Sequence, residues 1–236
     1  MLAVFVNMGT VLLGSFIGIL FRNKIKQNYI EIIISALALV TMVIGIISAV
    51  ATEDMLCLII CIVIGTAVGT VLNIDARIDG AGDFIKSKLL KGKNLGGRFT
   101  EGFVSACILF FVGSMTIMGS FEAGINHNYS IIFAKSALDF VSSMMFGAAM
   151  GIGVPFSIVF ILVFQGGLTL LANIISPYLG ANVITEMSAV GGTILIGMGI
   201  NMLELSPKKI KVANMLPAIF APIAYIPIAR LLAGLF

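Results

Sequence analysis

Charged residues are scarce in this chain of 236 residues, at 11%, whereas 59% of the residues are hydrophobic. A soluble domain carries about 25% charged residues, so the composition excludes an ordinary soluble domain and is typical of an integral membrane protein. Tryptophan is absent, and His127 is the single histidine. The sequence contains no P-loop, no dinucleotide-binding motif and no serine–histidine pair within an apolar stretch. We therefore expect a protein that is not an enzyme and that needs no cofactor.

The three cysteines, Cys57, Cys61 and Cys107, all lie within apolar stretches. Two thiols four residues apart, without a nearby histidine or carboxylate, make a poor metal site, and no disulfide framework is indicated. We expect no bound metal. Twelve of the fourteen basic residues lie in three separate loops rather than on one surface, so no nucleic-acid partner is expected.

Long apolar stretches fill most of the chain, and eight of them have close to the roughly 20 residues that cross about 30 Å of hydrocarbon. They are Leu2–Phe21, Glu31–Val50, Met55–Ile74, Gly102–Phe121, Ser130–Met150, Phe156–Ile175, Val183–Leu203 and Val212–Leu232. The fifth and sixth are joined only by Gly151–Pro155, so they are either two full spans or a re-entrant hairpin. The sequence predicts an all-α, polytopic transmembrane bundle of seven or eight spans, in one domain covering residues 1–236.

Basic residues sort to alternate connections between these stretches, which gives the orientation. The first, third and seventh loops hold Arg22, Lys24, Lys26, Arg77, Lys86, Lys88, Lys91, Lys93, Arg98, Lys208, Lys209 and Lys211. These odd-numbered loops are predicted to be cytoplasmic, so both termini lie outside. The long third loop, residues 75–101, is the main cytoplasmic segment. Within it, Ala76–Leu90 mixes charged and apolar residues and is either a helix on the inner membrane surface or a solvated loop.

Small residues recur four apart in several spans, as in Gly14–Gly18, Gly65–Gly69 and Gly147–Gly151. This spacing indicates either an internal repeat among parallel helices or simply close packing between membrane helices.

The most informative polar residues are Lys135 and Asp139, which lie within the fifth apolar stretch. A charge at bilayer depth costs at least about 3 kcal/mol on insertion scales, so membrane proteins rarely keep one that they do not use. Residues four apart share a face of a helix, so the two side chains are expected to pair. Counted from Ser130, Asp139 lies about 13 Å along the helix, close to the midplane.

Further polar residues lie on the same or neighbouring spans. They are Ser143, Gln165, Thr169, Glu186 and Thr193. Because polar side chains are costly against lipid, the fifth, sixth and seventh spans are predicted to face them into one shared cavity. The alternative is a buried polar network that only locks the helices together, with Lys135 paired to Asp139 or Glu186.

Several motifs are distinctive when taken together: the opening Asn7–Gly18, Lys135–Asp139, Gly151–Ser157, Phe164–Gly167, Gly191–Asn201 and Lys211–Pro217. They resemble a family of uncharacterised bacterial inner-membrane proteins, often described as YqgA- or YdfK-like. The resemblance covers nearly the whole chain and implies the bacterial inner membrane as the location. No established activity comes with it, so function has to be argued from the residues.

We expect a transporter or channel for a small solute or ion, with Asp139 and Glu186 as binding groups for a cation or a proton. Lys135 would then be a tethered counter-charge that changes partners. The expected partners are the lipid bilayer and that solute or ion, and homo-oligomerisation stays open. The alternative function is a membrane scaffold or sensor that transports nothing and whose polar cluster is structural.

Overall fold

The computed structural model describes residues 1–22, 27–78, 80, 99–111 and 114–233, and every regular element within these ranges is helical. The α-helices are α1 (Leu2–Arg22), α2 (Gln27–Val50), α3 (Met55–Val71), α4 (Phe99–Phe111), α5 (Ser114–Ile125), α6 (Ser130–Met150), α7 (Ser157–Leu170), α8 (Ala172–Ile175), α9 (Ala181–Met202) and α10 (Ala221–Ala233). Three 3-10 helices lie at Val154–Phe156, Ser176–Tyr178 and Val212–Phe220, and residues 74–78 are also helical. The all-α prediction is confirmed.

Five helical segments are long and apolar enough to cross a membrane: Leu2–Arg22, Glu31–Val50, Ser130–Met150, Ala181–Met202 and Val212–Leu231. The pair α4 and α5 adds a sixth if its two bent halves form one span, while α3 and Val154–Leu170 are shorter apolar helices. The described chain is thus a helical membrane protein with five or six candidate spans. Each predicted stretch overlaps a helix at its place in the chain, but the predicted number of about eight is not confirmed.

Two predicted spans are not single straight helices. The stretch predicted at Gly102–Phe121 is divided, and its halves are bent by 61°. At this bend the hydroxyl of Thr116 donates to the backbone oxygen of Phe110 over 3.1 Å, which satisfies a carbonyl that the helix end leaves free. The last stretch begins as a 3-10 helix, which contains Pro217, and becomes α-helical at Ala221.

The break predicted between the fifth and sixth stretches is present. α6 ends at Met150, and Gly151 takes a φ of +82°, which favours glycine. A Cβ at Gly151 would also overlap the guanidinium of Arg22, at the end of α1. α6 has the length of a full span and α7 has 14 residues, so the choice between two spans and a hairpin stays a prediction.

Glycines set the closest helix contacts. A Cβ at Gly14 would overlap the Phe140 carbonyl, and one at Gly18 would overlap that of Met144, so α1 and α6 pack in parallel. The neighbours advance along both helices together. The glycine spacing on α1 therefore serves close packing, the second of the two interpretations of the sequence pattern.

Two other close pairs run antiparallel. Gly45 of α2 lies against Gly192 of α9, while the carbonyl of Ala38, earlier in α2, faces Gly199, later in α9. On α3, Gly65 and Gly69 face residues 218 and 214 of the Val212–Phe220 helix. These directions agree with those of the predicted spans, in which the second and seventh, and the third and eighth, cross in opposite senses.

The most buried long helix is α9. Of its span-length window, 72% is buried, against 28–44% for the other four candidate spans. α9 is therefore the centre of the described bundle, and the other helices turn wide apolar faces outward. Most of the predicted cytoplasmic loop at residues 75–101 lies outside the described residues, and so does most of the surface helix considered for Ala76–Leu90.

Candidate functional site

The charged pair on α6 forms as its spacing predicts. The ammonium of Lys135 contacts Oδ2 of Asp139, and both side chains are less than one-tenth exposed. On its other side, the Lys135 Nζ lies 5.7 Å from the ring centroid of Phe110, which comes from α4. At this distance a cation is attracted to the face of an aromatic ring. Lys135 therefore has two favourable neighbours, one anionic and one aromatic, on two different helices.

Asn7 of α1 completes this cluster, and the sequence reasoning did not select it. Its fully buried Nδ2 donates to Oδ2 of Asp139 and to Oε1 of Gln165, each over 3.0 Å. Asn7 thus ties the acidic residue of α6 to the amide of α7. A lone asparagine in the apolar first stretch was the available signal, and it is costly against lipid in the same way as the residues that were selected.

Two atoms of this cluster keep unused hydrogen-bonding capacity. Both hydrogens of the Asn7 amide are already donated, because one goes to Asp139 and the other to Gln165. The Oδ1 of Asn7 and the Nε2 of Gln165 are buried and have no partner among the described residues. A buried polar group without a partner costs about 1–3 kcal/mol, so such atoms are usually paired with water or a ligand. One free acceptor and one free donor thus lie beside the charged pair. We call Asn7, Lys135, Asp139 and Gln165 the central cluster.

The predicted hydroxyl residues bond to their own helices. Thr169 donates to the carbonyl of Gln165 over 2.8 Å, and Ser143 donates to that of Phe140 over 2.9 Å. Thr193 donates to the carbonyl of Ala189 over 3.2 Å. Such bonds satisfy the hydroxyl hydrogen locally and leave the oxygen able to accept. Thr169 and Ser143 are buried and Thr193 is half-buried.

Glu186 belongs to a second network rather than to the central cluster. Its carboxylate accepts from the Thr52 hydroxyl over 2.6 Å, and from the backbone N–H groups of Glu53 and Asp54 over 2.7 and 3.1 Å. These donors lie in the connection between α2 and α3. Asp54 in turn caps α3 by accepting from the N–H groups of Leu56 and Cys57. The structure brings Asp139 and Gln165 together through Asn7, whereas Glu186 bonds to the α2–α3 connection, and a shared cavity stays a prediction.

Cavities with charged walls lie near both ends of α9. At one end, Glu186, Glu53, Asp54 and Arg230 border a cavity of about 240 Å³. We call it the Glu186 cavity. Near the other end lies a cavity of about 340 Å³, the Asn201 cavity. Its charged walls are Asp75, Glu101, Lys209 and Lys211, and Met198, Asn201 and Met202 of α9 also line it.

Twelve residues of helix, or about 18 Å, separate the two cavities along α9. The Asn201 side chain links α9 to the chain at Ile210, and both residues line the Asn201 cavity. It donates to the Ile210 carbonyl over 2.7 Å and accepts from the Ile210 N–H over 2.8 Å. Between the cavities, Val190, Ile194 and Leu195 of α9 are fully buried.

Cysteine and acidic residues form no metal site in the described ranges, where no group of three or more His, Cys, Asp or Glu residues could hold a metal ion. The nearest approach to a soft-metal pair is Cys57 and Cys61, whose sulfurs lie 3.7 Å apart on α3. Two thiols are fewer than the four ligands of a structural zinc site.

A family model described as "Protein of unknown function (DUF554)" matches residues 2–226. The chain belongs to this family. The "Uncharacterized membrane protein YdfK" of Bacillus subtilis (strain 168) is 26% identical over 221 residues, which are 92% of this chain and 91% of that protein. The "Uncharacterized protein YqgA" of Escherichia coli (strain K12) is 27% identical over 219 residues, which are 91% and 92% of the two chains. No solved structure matches the chain.

The family assignment confirms the resemblance that the sequence motifs indicated, over nearly the whole chain. One relative is named as a membrane protein, in agreement with the apolar helices of this DUF554 member. Neither relative's name states an activity.

Proposed function

We propose that this DUF554 protein moves a small solute or ion across the bacterial inner membrane, as a transporter or channel rather than an enzyme. The observation that supports this most is the central cluster itself. An ion pair is buried halfway along a membrane-length helix, beside two amide atoms that have no partner among the described residues. A cluster that served only to hold helices together would be more stable with every polar group satisfied.

The proposed topology places this cluster well inside the membrane. We propose about eight crossings with both termini outside, because the basic residues sort to alternate loops. α6 then starts at the outer surface, and Asp139, nine residues after Ser130, lies about 13 Å deep. The Glu186 cavity would open outward and the Asn201 cavity toward the cytoplasm, so each would be an approach to the pathway from one side.

Lys135 would serve as a movable counter-charge. When a cation or a proton neutralises Asp139, the ammonium loses its anionic partner but keeps the face of Phe110. The charge of Lys135 would then stay within the protein and would not have to enter lipid. Since Lys135 and Asp139 balance each other and Glu186 is bonded elsewhere, the central cluster carries no net charge before the substrate binds.

Glu186 and Thr193 would belong to the outer part of the pathway, together with the Glu186 cavity. The carboxylate of Glu186 already accepts three hydrogen bonds. It would therefore form a fixed acidic wall of this cavity, whereas Asp139 would be the acidic group that exchanges partners.

The alternative is a scaffold or sensor that transports nothing and uses the central cluster to hold α1, α6 and α7 together. It is favoured by the hydroxyls of Ser143, Thr169 and Thr193, which all bond to their own helices. The two functions predict opposite results for a substitution that removes the charge and keeps the shape, namely Asp139→Asn.

The test is ion flux into liposomes that contain the purified protein, with proton, Na⁺ and K⁺ gradients applied in turn. Wild-type protein should carry a current above that of protein-free liposomes, and Asp139→Asn should lose it. Ser136→Ala is a matched control, because Ser136 is buried on the same helix and donates only to the carbonyl of Ile132. Equal flux in wild type and Asp139→Asn would support the structural alternative.

A further inference from the structure

The central cluster is tightly packed, which limits what it can bind. Asn7, Gln165, Lys135 and Asp139 are 0%, 2%, 6% and 7% exposed. An organic solute normally needs a pocket of about 300 Å³ or more, whereas a water molecule occupies roughly 30 Å³. The burial therefore leaves no room for an organic solute, so any guest bound at the cluster would be as small as a single ion or water molecule. Resting on the function proposed above, we infer that the transported ion is a proton, passed to Asp139 by a water molecule held between Asn7 and Gln165.

A metal cation fits this cluster poorly. A hard cation such as Ca²⁺ or Mg²⁺ takes six or more oxygen ligands. The cluster's side chains supply oxygens only from Asp139, Asn7 and Gln165, and the Gln165 oxygen already accepts from Asn7. The place of a cation beside Asp139 is also taken by the ammonium of Lys135. A proton needs none of those ligands, because it forms a covalent bond to a single carboxylate oxygen.

The free amide atoms match the hydrogen-bonding capacity of water. Oδ1 of Asn7 can only accept and Nε2 of Gln165 can only donate, and both are buried without a protein partner in the described chain. A water molecule donates one hydrogen bond to Asn7 and accepts one from Gln165, which leaves it a second hydrogen to donate. The two amides also share a 3.0 Å hydrogen bond, so each free atom belongs to an amide that is directly bonded to the other. The same Asn7 amide also contacts Asp139.

The proton step is balanced without any further reagent. A hydronium ion formed at this water gives one proton to the carboxylate of Asp139, which yields a neutral carboxylic acid and the original water. The Lys135 ammonium then loses its ionic partner and remains over Phe110. Within the described residues, Asp139 accepts side-chain hydrogen bonds from Lys135 of α6 and Asn7 of α1, and of these two donors only Lys135 is charged. Release on the other side reverses the step and restores the ion pair.

The test uses protein in liposomes loaded with a pH-sensitive dye, with the membrane potential held by valinomycin and K⁺. A pH step should change the internal pH at a rate that does not depend on Na⁺, and Asp139→Glu should retain part of this rate whereas Asp139→Asn should not. Flux of Na⁺, or of K⁺ in liposomes without valinomycin, in the absence of proton movement would overturn the proton inference and leave the proposed transport function standing. Absence of flux for all three ions would overturn both.

The role of the bound water is tested by Gln165→Leu and Asn7→Leu. Loss of one hydrogen bond to the relaying water corresponds to about a tenfold lower proton flux. Ser136→Ala should keep the wild-type rate. Asn7→Leu also removes hydrogen bonds to two helices, so its effect on flux could come from a change in helix packing. Gln165→Glu is therefore a second variant, in which the side chain at position 165 keeps its size and shape. It turns the donor into an acceptor, so it should lower the flux and change its pH dependence. Wild-type flux and pH dependence in both Gln165 variants would overturn the water's role.

Discussion

The buried charges should be energetically coupled, and the coupling can be worked out from their contacts. Lys135→Met keeps the length and apolar stem of the side chain and removes the ammonium, so it leaves the carboxylate of Asp139 without its counter-charge. Breaking a buried pair in this way costs about 3–5 kcal/mol. Asp139 keeps the 3.0 Å bond from Asn7, and a hydrogen bond to a charged group contributes about 1.5–3 kcal/mol, so we expect the lower end of that range.

The reverse change should cost slightly less. Asp139→Asn leaves Lys135 without an anion, but the ammonium keeps the face of Phe110, which contributes about 2 kcal/mol when desolvated. We expect a loss of about 2–3 kcal/mol in the free energy of unfolding. In the double variant Lys135→Met/Asp139→Asn no charge remains unpaired. The double variant should therefore be more stable than the sum of the single losses predicts, by about 3 kcal/mol.

The assay is reversible unfolding in mixed micelles, followed by circular dichroism or pulse proteolysis because the chain has no tryptophan to report by fluorescence. The control cycle combines Lys135→Met with Glu186→Gln. Glu186 is bonded to Thr52 and to the backbone at Glu53 and Asp54, so its effect should simply add to that of Lys135→Met. Additive effects of Lys135→Met and Asp139→Asn would refute the coupling of the pair.

Other changes test the packing, the second network and the topology. Gly18→Ala should lower the free energy of unfolding by about 1–3 kcal/mol, because its Cβ would overlap α6. Gly167→Ala is the control and should be neutral or slightly stabilising, because the space around its Cβ is open. Equal effects of the two substitutions would contradict the close α1–α6 contact. Glu186→Gln should lower the free energy of unfolding by about 1–3 kcal/mol, because the backbone N–H groups of the α2–α3 connection would then donate to a neutral amide instead of a carboxylate. An unchanged unfolding midpoint would contradict this. With the native cysteines replaced, a membrane-impermeant thiol reagent should label Asn126→Cys but not Lys208→Cys in intact cells, and the opposite result would invert the proposed topology.

The sequence was sufficient for the helical class, the family and the Lys135–Asp139 pair, because apolar length and the four-residue spacing are local properties of the chain. The contacts of Asn7 could not be predicted, because Asn7 lies more than 130 residues from Asp139 and the α1–α6 contact is set by interhelical packing. The environment of Glu186 depends likewise on where the α2–α3 connection folds. Pro217 is visible in the sequence, but a proline is compatible with a bent helix, a helix end or a 3-10 helix, so the sequence alone does not predict which of these forms.

The flux of the Lys135→Met/Asp139→Asn double variant tests most directly whether the central cluster is a pathway or a structural lock. The double variant should be no less stable than either single variant, because it contains no unpaired charge. If the cluster is the pathway, its proton flux per reconstituted protein should nevertheless stay at the level of protein-free liposomes. Proton flux in the double variant equal to that of wild type would contradict the account and leave the charged pair with a structural role alone.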